Sequence, residues 1–413
     1  MNKKQIMVYL FMLFCIFATD SMITISINSN TLYYYGFRWV AIILSPIFFL
    51  LTIDIRRANK KWAILICVVA VSLGITALFN SDYAFAIFIK LIYFFLGYSA
   101  VKYFSPKWII KTFVDIMGVV AVVSLGCYFV SLINVNAFDF LPNIRIVAAK
   151  SGRVSNFANA ILCVIAKDYW GALPRNYGMF AEPGIYQVYL VFALMMLLYG
   201  DFDKKGLKVT IFLVSMITTF STTGYIVTIC LFLYYFLTNY KISNTVRFLA
   251  ISGSTFIVFM IIQNELIFNT VFGKFQNSGD ASTISRLYSF PINALIWIKS
   301  PLCGVGPVKM NELIEPIAMS LAKSEFFHNT NTFMYTLACF GISVFGIELS
   351  KGILLAKELT KGGFLRTLGL FTIIFVCLSG ENLTYSLCIE VLLFCGAFGL
   401  IETELEGELY DIS

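Results

Sequence analysis

The chain has 413 residues, of which 59% are hydrophobic and 13% charged, with a mean hydropathy of +0.84 and a net charge of +7. That composition excludes an ordinary soluble protein, and no polar stretch is long enough to form a soluble domain. Phenylalanines number 41 against 30 Lys and Arg, so the positive charge says little about nucleic acid.

A bilayer core takes about 20 apolar residues per helix. Such runs recur at 5–27, 37–53, 62–79, 84–101, 108–133, 185–200, 207–221, 223–240, 248–268, 331–350, 364–380 and 383–401. They predict an all-α, polytopic membrane protein of about 12 transmembrane helices, one transmembrane domain over 1–413. No small-residue cleavage site follows the first run, so it reads as a span rather than a signal peptide. Basic residues set the sidedness. Lys3 and Lys4, then Arg56, Arg57, Lys60 and Lys61, then Lys102, Lys107 and Lys111 fall at alternate connections. So do Lys204, Lys205 and Lys208, Lys241 and Arg247, and finally Lys351, Lys357, Lys361 and Arg366. The short opposite loops 28–36, 80–83, 222–223 and 380–382 carry none. Both termini are therefore expected in the cytoplasm, the acidic tail 402–413 included.

Two long connections, 134–184 and 269–330, fall on the extracytoplasmic side and are expected to contain short helices. In the first, Phe157 to Ala166 is apolar but too short to span, and reads as interfacial or re-entrant. In the second, Asp280-Ala-Ser-Thr fits a cap for a helix beginning near Ile284 with Arg286 in its first turn, bent by Pro291. Cys303-Gly-Val-Gly-Pro307 reads as a tight turn and 312–326 as a short amphipathic helix. Ten cysteines lie scattered with no Cys-x-x-Cys and a single histidine, which argues against a zinc or redox motif. Cys163 and Cys303 both fall in external loops and form a candidate pair.

The residues suited to chemistry collect in those loops. Arg175 precedes Glu182 and the helix-starting Pro183-Gly184, and its guanidinium fork suits a phosphate; the alternative is a headgroup anchor paired with Glu182. Arg286 at a helix start would share an anion with the free N–H groups, or pair with Asp280. His328 is the one side chain that readily exchanges a proton near neutral pH, or else it helps cap the next helix with Asn329 or Asn331. Ser221, Thr222 and Thr223 form a hydroxyl-rich break that would serve a sugar or phosphate, or simply reverse the chain. Lys90, inside a span, snorkels or pairs; Glu390 is the better candidate for buried pairing, because Glu348 is expected near the cytoplasmic end.

With Arg175-Asn-Tyr-Gly-Met-Phe-Ala-Glu-Pro-Gly, Ser221-Thr-Thr-Gly, Ser282-Thr-Ile-Ser-Arg286, Gly304-Val-Gly and His328-Asn-Thr in this order, the chain resembles the O-antigen polymerase (Wzy) family of membrane glycosyltransferases. An arginine-x10-glycine pattern seen in some members starts at none of Arg145, Arg153, Arg175 or Arg286. The resemblance implies transfer of a growing glycan from undecaprenyl diphosphate to the terminal sugar of an incoming lipid-linked repeat unit. It places the reaction on the outer face of a bacterial inner membrane. Arg175 and Arg286 would hold the diphosphate without a metal or cofactor, His328 or Glu182 would take the acceptor proton, and Asn329 would join the hydroxyls around the sugar. A chain-length regulator is the implied protein partner, and nucleic acid is not one. An O-antigen ligase is the nearest rival, and a lipid-linked oligosaccharide flippase is the rival of another class. A flippase would carry its charges along a central mid-membrane path.

Overall fold

The computed structural model describes residues 3–22, 31–52, 60–80, 85–147, 154–168, 174–239, 243–245, 252, 281–323 and 327–397. Its helices are α1 (Lys3–Thr19), α2 (Thr31–Thr52), α3 (Lys60–Asn80), α4 (Phe85–Phe104), α5 (Pro106–Ile133), α6 (Pro183–Tyr199), α7 (Lys205–Thr218) and α8 (Thr222–Thr238). After them come α9 (Ala281–Trp297), α10 (Pro307–Ala322), α11 (Thr332–Thr360), α12 (Phe364–Ser379) and α13 (Leu387–Ala397). Every apolar run except 248–268, of which only residue 252 is described, falls on one of these helices. The tail 402–413 and Asp280 also lie outside them.

Helices α4, α5 and α11 are long and apolar enough to cross a membrane. The bundle is apolar on the outside as well as within. Phe79, Ile133, Leu50 and Leu365 are 70–89% exposed, an outer surface that water would not tolerate over this extent. Inside, α6 is buried on every side, from Tyr186 to Leu198, as a helix apolar all round should be. Several connections cluster at each end. At one end Lys4 stacks over Tyr103, Lys208 pairs with Asp115 at 2.6 Å, and Tyr9 donates to Asp115 at 2.9 Å. The turns before α6, α8, α11 and α13 meet at the other end.

Two features depart from the sequence reading. The connection 134–184 contains a short 3-10 helix and then a three-stranded antiparallel sheet: β1 (Asn143–Val147), β2 (Val154–Asn159) and β3 (Val164–Ala166). The apolar run from Phe157 to Ala166 is thus two strands and a turn, not a re-entrant piece. Asn159 accepts from the N–H of Ile161 at 2.8 Å, and Ile161 sits at φ 66°. A β-branched residue rarely enters that region, so the turn was hidden by its own apolar residue. Cys163 lies in the turn between β2 and β3 with its thiol against Cys127 of α5, not against Cys303, and all three cysteines are free.

The second feature is a break in α11. Gly341 has φ 79° and ψ −178° inside the helix. The turn 301–306 seats itself there: Val305 N donates to Ala338 O and Gly306 N to Cys339 O, both at 2.9 Å, and Ile342 N donates to Pro301 O at 3.2 Å. The interrupted helix leaves backbone groups that must be satisfied by protein, and this turn satisfies them. Glycine is required on both sides, since a Cβ at Gly304 would lie 2.4 Å from the Cys339 backbone. Thr76 and Asn80 of α3 hold the carbonyls of Cys303 and Gly304 at 2.5 and 3.0 Å. The tight turn expected at 303–307 is therefore also an insert between helices.

Candidate functional site

The segment 175–184 is held from three sides. Asn176 accepts from Gly178 N at 2.9 Å, a local turn that needs the φ of 57° at Gly178. Its backbone N–H and side-chain amide donate to Thr218 O and Oγ1 at 2.8 and 3.0 Å, tying it to the end of α7. Val164 of β3 donates to Gly178 O at 2.7 Å, and Met22, just past α1, donates to Met179 O at 3.0 Å. Beneath these contacts Tyr186 packs its ring on Gly178 and stacks with Phe180 at 5.5 Å. The sequence thus folds here as a braced strap, and the brace aims Arg175.

Arg175 donates its Nε to Thr219 O at 2.9 Å, which leaves the terminal guanidinium nitrogens for another partner. Burial pulls the guanidinium below its ordinary pKa, with Arg286 adding to the effect and Glu182 opposing it. Arg286 and Glu182, within electrostatic reach of Arg175, are therefore brought to the same end of the bundle. Arg286, in α9, has its Nη2 3.5 Å from the Oε1 of Glu381, and its Nε is buried with no partner.

One expectation about Arg286 is corrected here: α9 is already helical at Ala281, so Arg286 stands past the first turn and its free N–H groups. The expected pair with Asp280 involves a residue outside the described ones. Among the described residues, the acidic partner of Arg286 is Glu381, which the connection between α12 and α13 contributes.

Glu381 is the residue that sequence reading missed. Its side chain is 12% exposed and lies over Gly184 in the first turn of α6, where a Cβ would meet Oε1 at 1.8 Å. Thr332, at the start of α11, donates to Glu381 O at 2.7 Å and accepts from Leu383 N at 2.9 Å. Burial and the nearby Glu182 hold the Glu381 carboxyl up at about 8, against the opposing pull of Arg286 and Arg175. The only signal available in the sequence was an acidic residue in a short loop without basic residues, 380–382, and nothing local linked it to Arg286.

Glu182 is the exposed N-cap of α6 and makes no side-chain cap bond. Ser221 does cap α8, accepting from Gly224 N at 3.4 Å; Thr222 is buried, and Thr223 packs its methyl against Gly380, one residue from Glu381. Beside this turn Gln187, fully buried, has neither amide atom partnered. His328 is exposed, and its backbone N–H donates to Ser285 Oγ at 2.9 Å, which sets it beside the residue preceding Arg286. Asn329 is committed elsewhere, exchanging two amide hydrogen bonds with Asn293 of α9 at 3.0 and 2.6 Å. Asn331 caps α11 through Met334 N at 3.0 Å.

A second charged cluster lies inside the bundle. Lys90 of α4 reaches Glu348 at 2.9 Å and Glu390 at 3.0 Å, while Lys351 reaches Glu348 at 2.7 Å and also pairs with Glu390. The expectation for Glu390 and the pairing option for Lys90 hold. Glu348 and Lys351 are corrected from a cytoplasmic end to the interior, because α11 continues to Thr360 rather than stopping near 350. A small cavity of about 10 Å³, roughly the room one water needs, adjoins the cluster along Thr332, Thr336 and Thr384. No protein-family model matches the chain, and no curated protein matches it either.

Proposed function

We propose that the chain is a multi-pass membrane glycosyltransferase of the O-antigen polymerase type, crossing the inner membrane about twelve times with both termini in the cytoplasm. Its substrates on this reading are two undecaprenyl-diphosphate-linked glycans, one donor and one acceptor. The acceptor's hydroxyl oxygen attacks the donor's anomeric carbon, the bond from that carbon to the diphosphate breaks, and the lipid diphosphate leaves with the charge. Arg175 and Arg286 stabilise that charge where it develops; the apolar outer surface between helices receives the lipid tails.

The observation that carries this reading is the pair of arginines delivered to one end by separate connections. One has its Nε committed and its fork open, and the other has a buried Nε without a partner. The acceptor proton passes to a side chain of the same end, and His328 and Glu182 are the two suggested by the resemblance. Sidedness is supported by Lys4 and Lys208 collecting at the opposite end.

The flippase reading draws on one observation, the charged cluster among α4, α11 and α13. The ligase reading uses the same arginines. A deletion strain separates all three. Lipopolysaccharide with a single repeat unit is the expected result. Core without glycan, with polymer left on the carrier, would mean a ligase, and units trapped inside the cell would mean a flippase. Complementation with Arg175→Ala, Arg286→Ala or His328→Ala that restored full polymer length in every case would sink the mechanism.

A further inference from the structure

The buried carboxyl between α12 and α13 has no role in the reading above, and its surroundings are those of a proton-transfer group. We infer that Glu381 is the general base that takes the proton of the acceptor hydroxyl. The inference rests on the glycosyltransferase reading. In the step, the hydroxyl proton moves to a Glu381 carboxylate oxygen as the hydroxyl oxygen bonds to the anomeric carbon. The bond between that carbon and the diphosphate oxygen breaks, its electron pair leaving with the lipid diphosphate, and the Glu381 proton is then lost to solvent.

The geometry singles Glu381 out from Glu182 and His328, the two proton acceptors that the resemblance suggests. Glu182 and His328 are both exposed, where water competes for their protons and for their orientation. Glu381 is 12% exposed and fixed at both its backbone and its carboxylate: Thr332 holds its carbonyl at 2.7 Å, the Gly184 surface supports Oε1, and Arg286 lies 3.5 Å from it. That places a carboxylate directly beside one of the two arginines assigned to the diphosphate, where donor carbon and acceptor hydroxyl must meet. The charged groups facing it are Glu182 at the start of α6, Arg175 in the strap and Arg286 from α9; Thr332 of α11 is neutral. With a carboxyl held at about 8, the group exchanges its proton close to the working pH, where a general base is most effective. Gln187, the unpartnered amide nearby, is fully enclosed and offers no proton acceptor of comparable strength.

The test uses the full-length protein in lipid nanodiscs, with lipid-linked repeat units extracted from the deletion strain as donor and acceptor. For the wild type the rate should rise with pH through about 8 and then level off, because the base must be deprotonated. Glu381→Gln should lower the rate by about 10²-fold or more and remove that rise, while undecaprenyl diphosphate alone still binds within about threefold. His328→Ala should keep the rise. Glu381→Asp, which retains the carboxylate, should keep a measurable rate with a displaced limb. Glu381→Gln with more than a tenth of the wild-type rate, or with the same rise, overturns the assignment, as does a wild-type rate that is flat between pH 7 and 9. A wild-type protein that transfers no sugar from these lipids overturns the glycosyltransferase reading itself; an active wild type with an active Glu381→Gln overturns only the role of Glu381.

Discussion

The chain holds two clusters with the same inventory of two cations and two carboxylates. Lys90, Lys351, Glu348 and Glu390 lie inside the bundle, and Arg175, Arg286, Glu182 and Glu381 lie at one end of it. In the first, each ammonium reaches both carboxylates, and all four side chains are 2–6% exposed. In the second, the only ion pair among the described residues is Arg286 with Glu381, at 3.5 Å. One arginine spends its Nε on a carbonyl, and Glu182 faces solvent. The closed cluster spends its charges on one another and holds α4, α11 and α13 together. The open one has unspent donors. Charge count alone does not distinguish a fastening from a site; the degree of mutual satisfaction does.

The comparison is broken most forcefully at the closed cluster. Glu390→Ala leaves two ammonium groups sharing one carboxylate in the interior, and should cost about 3–5 kcal/mol of stability, read as a large fall in thermal midpoint in detergent. By contrast, Arg175→Ala and Arg286→Ala should each cut transfer by about 10²–10³-fold with the thermal midpoint little changed. Arg175→Lys should fail to restore it, since an ammonium lacks the fork. If the arginine variants instead unfolded like Glu390→Ala, the open cluster would be a second fastening.

Smaller changes sharpen the contrast. Gly304→Ala combines a positive φ with a 2.4 Å clash on the Cys339 backbone and should cost about 1–3 kcal/mol, seen as protease sensitivity of the 301–306 turn. Glu381→Gln should reverse the usual penalty of mutating a buried ion-pair member at high pH. The folded state raises this carboxyl from 4.5 to about 8, so it favours the protonated form. That contribution is complete below about pH 4.5 and is lost as pH rises through 8. The variant should therefore match the wild type at pH 5 and exceed it in thermal midpoint at pH 9. Asn329→Ala should have the least effect on transfer, because its amide is bound to Asn293; a stability loss of about 1 kcal/mol without loss of polymer is expected.

Much of the architecture was legible in the chain because apolar run length is a local property. Helix α9 with Pro291, the turn at 303–307 and the break at 221–223 were all read from neighbouring residues. The sheet of residues 143–166 escaped because its turn is made by Ile161, whose conformation no apolar pattern announces. The pairing of Arg286 with Glu381 escaped, since Glu381 lies 95 positions away and shares no local pattern with it.

The amino-acid sequence by itself determined that the chain is a largely helical, lipid-compatible protein and that Arg175 belongs to a connection rather than a span. Hydrophobicity and turn chemistry act over a few residues, so they can be read from order alone. Only the tertiary structure decided which groups answer one another: that Lys90 meets Glu348 and Glu390, that a glycine-rich turn fills the break at Gly341, and that Glu381 meets Arg286 within the field of Arg175. Coulomb and hydrogen-bond energies depend on distance in space and on the water excluded there, and packing alone sets both.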